Sequence, residues 1–331
     1  MNPIAFQIGP IAVHWYGILI VTGILAAAYL STYTAKLWAE DPQLVWDALV
    51  WCVFLGVIGA RLYHVVTGQP STGVDLQYYL QHPLKIFATW EGGLGIYGAV
   101  AGGALGLFIV IRRAKRDIWR WMDITVPGLV LAQAIGRWGN FINQELYGQP
   151  TDLPWGLYIP PSHRLPGYDI YERFHPIFFY ESMWNLATCL VLVYLTWRYR
   201  DRLVSGIITC IYFIAYSTIR FLLEFIRLDS PAVGEGMITI AQIVALVLIV
   251  AFLALMIWRF RVGQKPQAAS ASAGEDEGVQ VEETQGSEST GAEEEATDQV
   301  PSDESTLPAE APAEDVAFEA QEDAGEEKEE A

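Results

Sequence analysis

Residues 136–148 read Gly-Arg-Trp-Gly-Asn-Phe-Ile-Asn-Gln-Glu-Leu-Tyr-Gly and follow directly on an apolar run, Trp121 to Ile135. Arg137, Asn140, Asn143 and Glu145 therefore stand within nine residues where an apolar segment turns polar. A guanidinium presents a planar fork of donors matched to phosphate, and it stays charged in a low dielectric. The two amides add donors, and a carboxylate can orient them. The pattern predicts a site for an anionic lipid headgroup.

Ionisable groups inside apolar runs are costly and usually face an interior cavity. Three other runs carry them. Glu181 and Asn185 open one, a helical turn apart. Arg220, Glu224 and Arg227 close another at i, i+4 and i+7, a spacing that predicts one helix face. His14, Trp15 and Tyr16 open the first. Glu145, Glu181 and Glu224 could each orient an arginine or serve as a base. Arg220 with Glu224 could equally be an ion pair that only fixes its helix. The sequence contains no His-Glu-x-x-His, Cys-x-x-Cys or Gly-x-Ser-x-Gly, so zinc-peptidase and serine-hydrolase chemistry is not expected. No metal, cofactor or nucleic-acid partner is expected either. What remains is group transfer by positioning and charge stabilisation.

The elements that must position these residues are membrane spans. The chain is 52% hydrophobic with 12 Trp, and its apolar residues fall in long runs, which places it among polytopic membrane proteins. Seven spans fit, at about 11–33, 44–66, 93–111, 121–135, 177–197, 204–226 and 237–258. The fourth is short and carries Asp123, Pro127 and Gln133. Counting it puts Lys36, the Arg112–Arg116 cluster, Arg198 to Arg202, and Arg259 to Lys265 on one side, as the positive-inside rule requires. The N-terminus is then outside and the C-terminus cytoplasmic. No Lys or Arg precedes Lys36, so the first run lacks the basic region of a signal peptide and is expected to be a retained span.

On the outer face, residues 75–87 mix apolar, aromatic and polar types, as an interfacial arm does. Residues 136–176 are expected to form a small external cap of loop and strand. Gly98, Gly102 and Gly106 stack on one helix face, for close helix packing or for an acyl-chain groove. Cys52, Cys189 and Cys210 all lie in apolar runs and make no disulfide framework. The net charge of −18 comes from the end of the chain: residues 268–331 hold 22 acidic residues and one basic, leaving 16 acidic and 19 basic before them. Such a tail buries too little apolar surface to offset its entropy and is expected to be disordered. The expected architecture is therefore an all-α polytopic membrane protein of seven transmembrane helices. Its membrane domain spans residues 1–262, and a disordered acidic cytoplasmic tail spans 263–331.

The 136–148 segment resembles, throughout, the Gly-Arg-x-Gly-Asn-Phe-Ile-Asn-x-Glu-x-(aromatic)-Gly signature of the bacterial phosphatidylglycerol–prolipoprotein diacylglyceryl transferase family. His14-Trp15-Tyr16-Gly17, Trp90 to Gly98, His175-Pro176 to Tyr180-Glu181, and Arg220 to Arg227 resemble further family motifs in order. The resemblance covers residues 4–262. It implies transfer of the diacylglyceryl group of phosphatidylglycerol to the lipobox cysteine of prolipoproteins, at the outer leaflet of the bacterial plasma membrane. It also implies Arg137, Tyr97, Tyr16, Arg227 and Glu145 as catalytic residues. Arg137, Asn140, Asn143, Gly148, Glu181 and Glu224 are implied to bind phosphatidylglycerol. Many members have histidine, the usual candidate base, where this chain has Tyr97. A phenol, with an unperturbed pKa near ~10, makes a poor base, so His14, Glu145 and Glu181 are alternatives. An anionic-lipid transporter or flippase is the alternative function, but it would need polar residues at more than one level of the membrane.

Overall fold

The computed structural model describes residues 2–9, 11–68, 74–228 and 238–263. The expected disordered tail lies outside them from residue 264 on, Gly263 being the last residue of the final helix. The described chain forms a bundle of long helices: α1 (Trp15–Leu37), α2 (Gln43–Thr67), a short α3 (Leu76–Gln81), α4 (Ile96–Arg113), α5 (Ile118–Asn143), α6 (Ile177–Tyr199), α7 (Ile207–Leu223) and α8 (Ile240–Gly263). Six of these are long and apolar enough to cross a bilayer: α1, α2, α4, α6, α7 with the turn that follows it, and α8. At 26 residues α5 is also long enough. It falls short only in apolarity, as Asp123, Gln133 and Arg137 dictate.

Two boundaries differ from expectation in ways that matter for the site. The first helix begins at Trp15, because Ile11–His14 pairs as strand β2 with β1 (Ile4–Ile8) in an antiparallel hairpin. The fourth long segment does not stop at Ile135 but continues as helix through Asn143. A polar run says nothing against a helix whose polar residues find partners inside the protein. Helix α5 starts where Asp117 accepts the Trp119 N–H, and it ends where Gln144 turns left-handed at φ 55°.

The helices pair antiparallel through small residues. On α4, a Cβ at Gly98 would lie 2.0 Å from the Gly59 carbonyl, and one at Gly102 would lie 2.1 Å from that of Leu55. The glycine row is thus helix packing against α2, not an acyl-chain groove. On α5, Gly128 presses on Ala27 and Gly139 on the ring of Tyr16, which sets α1 antiparallel to α5. Ser182 donates to the Ala134 carbonyl (2.9 Å) and joins α6 to α5. Trp184 donates to the Ala215 carbonyl (3.0 Å) and joins α6 to α7. At the opposite end from Arg137, buried Asp123 accepts from the Gly206 N–H (2.6 Å), the Thr209 N–H (2.8 Å) and the Thr209 hydroxyl (2.7 Å). That carboxylate caps the N-terminus of α7, which accounts for the one acidic residue in the fourth run.

Between α5 and α6 the chain forms a small cap. Strands β3 (Leu157–Tyr158) and β4 (Arg173–Phe174) pair antiparallel over a core of Tyr147, Ile159 and Phe174. Tyr147 is tied on both sides: its hydroxyl donates to the His163 carbonyl (2.9 Å) and accepts from the Leu165 N–H (2.7 Å).

Candidate active site

Antiparallel pairing brings the start of α1, the end of α5, the start of α6 and the end of α7 to one end of the bundle. Arg137 and Asn140, three residues apart on α5, share a face. From α6, one turn past its first residue, Glu181 reaches between two helices. Its Oε1 accepts from Arg137 Nη2 at 2.5 Å, and its Oε2 lies 3.8 Å from Arg220 Nη1 on α7. Glu181 is 1% exposed, while the two arginine side chains keep about a quarter of their surface open, at 25% and 23%. One buried carboxylate therefore holds two guanidiniums and neutralises only one of them. This trio of Arg137, Arg220 and Glu181 carries one positive charge in excess, and donors not used on Glu181 can meet an anion on its accessible side.

The remainder of the 136–148 segment supports this cluster. The side-chain oxygen of Asn140 accepts from Arg137 Nη1 (3.4 Å), and its Nδ2 donates to Glu145 Oε1 (2.9 Å). Asn143 Nδ2 donates to the same oxygen (3.4 Å). Glu145 can fold back in this way because Gln144 and Leu146 flank it at φ 55° and 56°. Left-handed backbone costs a non-glycine residue of order 1–2 kcal/mol, and strain of this kind clusters at functional sites. Tyr16 lies against Gly139, where a Cβ would stand 2.0 Å from its ring. Gly148 fits between His175 and Ile226 and pairs backbone to backbone with Arg227. The His175–Glu181 motif also resolves into parts. The Tyr180 hydroxyl bonds to His175 Nδ1 (3.2 Å) and to Trp155 Nε1 (2.9 Å), which fixes the cap on α6 and sets Glu181 behind it.

The Arg220, Glu224 and Arg227 face does not form. Helix α7 ends at Leu223, Glu224–Ile226 is a 3-10 turn, and Arg227 is extended at ψ 142°. Arg220 turns to Glu181 rather than to Glu224. Buried Glu224 instead accepts from the Thr239 hydroxyl (3.0 Å) at the start of α8. There Thr239 and Gln242 bond reciprocally, side chain to backbone, as a capping box. Arg220 is the residue that spacing misassigned; its signal was an arginine within an apolar run. His14 is exposed at the start of α1. Tyr97 sits in the first turn of α4, 72% exposed, with its ring 5.6 Å from that of Tyr63. Among the described residues no hydrogen bond joins it to the arginine cluster.

A family model described as prolipoprotein diacylglyceryl transferase matches residues 3–258. The chain belongs to that family. Relatives called phosphatidylglycerol–prolipoprotein diacylglyceryl transferase agree with this. The one from Synechococcus elongatus is 42% identical over 260 residues, 78% of this chain and 87% of the relative. That of Symbiobacterium thermophilum is 42% identical over 275 residues, 83% of this chain and 97% of its own. That of Chloroflexus aggregans is 42% identical over 260 residues, covering 73% and 83%. The stretch matched by the family model, residues 3–258, contains every residue of the arginine cluster.

Proposed function

We infer that the enzyme transfers the diacylglyceryl group of phosphatidylglycerol to the lipobox cysteine of a prolipoprotein, the first step of lipoprotein maturation. The observation that carries the reading is the pair Arg137 and Arg220 on the single carboxylate of Glu181. In the reaction the cysteine sulfur forms a C–S bond to the glyceryl carbon. The bond from that carbon to the phosphate ester oxygen breaks, and its electron pair leaves on that oxygen. Glycerol phosphate departs with one more negative charge than the diester carried. A cationic site strengthens its hold as that charge develops, which is differential stabilisation of the transition state.

Arg137 and Arg220 bind the phosphate, with Arg227 sharing the load from beside Gly148. Asn140, Asn143 and Tyr16 position the headgroup, and Glu145 orients the amides. Glu181 and Glu224 act on the lipid through their partners, an arginine pair and the α8 cap. The thiol proton must go to a base, since the thiolate is the nucleophile. Glu181 is committed to two cations, so Glu145 and His14 are the acceptors at this end. Tyr97 contacts substrate without taking the proton.

Seven spans, with the N-terminus outside, the C-terminus cytoplasmic and the arginine cluster at the outer leaflet of the bacterial plasma membrane, fit the one-sided placement of Lys36, Arg112–Arg116, Arg198–Arg202 and Arg259–Arg261. The membrane domain is residues 1–262, with the cap within 136–176. The test is incubation of the purified chain with phosphatidylglycerol and a lipobox peptide, followed by mass spectrometry. A thioether-linked diacylglyceryl adduct is expected, and none on a peptide lacking cysteine. No adduct with the unaltered chain, or an unchanged yield with Arg137→Ala, overturns the reading.

A further inference from the structure

Arg61, near the end of α2, is 6% exposed. Its guanidinium meets backbone carbonyls throughout. Nε donates to Ile86 O (2.8 Å), Nη2 to Lys85 O (2.6 Å), and Nη1 to both Gly92 O (2.6 Å) and Gly93 O (3.0 Å). Its face lies over the Tyr79 ring at 5.4 Å. One side chain thus gathers α3, the 3-10 turn Pro83–Phe87 and the Gly92–Gly93 turn. Sequence and geometry agree here. Gly92 and Gly93 stand at φ 87° and 72°, which lets both carbonyls converge on one nitrogen. A Cβ at Gly93 would lie 2.5 Å from His64 Nε2 and 2.8 Å from Arg61 Nη1. Just beyond, Gly95 N–H donates to the Ala60 carbonyl (2.9 Å), and α4 begins at Ile96.

What this clamp holds faces outward. Leu80, Leu84, Phe87 and Trp90 are each more than 70% exposed, and so is Tyr97 in the first turn of α4. Helix α2 returns from a short turn after α1 and pairs antiparallel with α4, so the end of α2 and the start of α4 lie at the same end of the bundle as Arg137.

We propose that Arg61 is a positioning residue for the transfer reaction: by binding four carbonyls between Lys85 and Gly93 it fixes the outer arm and the entry to α4, and so sets Tyr97 and the arm's apolar edge toward the lipid substrate. This rests on the transferase reading given above. Lysine at the position could not reproduce the clamp, since a compact ammonium cannot span four carbonyls arranged for a planar fork.

The test uses the full chain in nanodiscs containing phosphatidylglycerol, unaltered and as Arg61→Met, Arg61→Lys and Gly93→Ala. Hydrogen–deuterium exchange by peptide and kcat/KM for phosphatidylglycerol are both measured. Faster exchange confined to residues 79–97, with α5, α6 and α7 unchanged, is expected in all three variants. A fall in kcat/KM of about 10²-fold is expected with it, the scale of a misplacement near 1 Å. Gly93→Ala combined with Arg61→Met should add little to either alone, because both remove one clamp. Unchanged exchange in 79–97, loosened exchange with unaltered kcat/KM, or global loss of protection in all three variants would each overturn the proposal. An unaltered chain without transferase activity sinks the functional reading instead, while the exchange pattern still judges the clamp.

Discussion

At the scale of single residues, the site depends on an imbalance of charge: two guanidiniums on one carboxylate. Removing the carboxylate should be worse than removing one arginine's contact with it. In Glu181→Gln the arginines repel each other and lose their common anchor. Breaking a buried ion pair from one side costs about 3–5 kcal/mol, so a marked fall in the midpoint of thermal unfolding and near-complete loss of adduct formation are expected. Arg137→Lys keeps the charge but loses the fork that bridges Glu181 and Asn140. It should unfold closer to the midpoint of the unaltered chain than Glu181→Gln does, because no buried charge is left unpaired, and still lose most of its activity. Equal activity in the lysine variant would mean that charge alone suffices. Tyr97→Phe should retain transferase activity, because the hydroxyl is assigned no proton; abolished turnover, with pH dependence lost, would return the role of base to Tyr97. The grouping of Arg137 with Asn140 and Glu145 was legible from spacing alone. Arg220 was legible only as an oddity, because helical spacing offered Glu224 as a partner and the chain left the helix one residue before reaching it.

At the scale of elements, the close glycine contacts fix how α4 lies on α2. Gly102→Ala puts a methyl group 2.1 Å from the Leu55 carbonyl, too near for any rotamer to relieve. Overpacking of this kind costs about 1–3 kcal/mol, and a lowered unfolding midpoint in detergent should report it. In the cap, burial pushes the Tyr147 phenol up from its ordinary value, more than the Leu165 N–H lowers it. A folded-state pKa above the unfolded one means that the stabilisation is fully present below the unfolded value and is lost as pH rises through the folded one. The cap should therefore hold across neutral pH and loosen only in strongly alkaline solution. Tyr147→Phe should remove that alkaline transition and cost about 1–3 kcal/mol at neutral pH, since two backbone groups lose their partner. Limited proteolysis of the cap between pH 7 and 11 would measure both. The strand character of the cap was legible from its Pro, Gly and aromatic residues. The helical nature of 136–143 was not, because polar side chains look like a helix end until their partners on α6 are known.

At the scale of the whole molecule, charge separates the chain into a slightly basic membrane body and an acidic end. Truncation at Pro266 should leave adduct formation and the unfolding midpoint unchanged, because every residue of the arginine cluster and of the Arg61 clamp lies before it. Loss of activity in the truncated chain would assign the tail a part in the reaction.

The sequence by itself determined that this is a polytopic membrane protein, roughly where its long helices run, which family it resembles, and that Arg137, Asn140 and Glu145 stand together where an apolar run turns polar. These follow from local rules: hydropathy over some twenty residues, glycine where backbones must touch, and a thirteen-residue signature. Only the tertiary structure decided which carboxylate holds which arginine. Glu181 joins Arg137 across 44 positions and Arg220 across 39, through helices that pair antiparallel. Ion pairing depends on distance in space, and nothing in the spacing along one helix carries that distance.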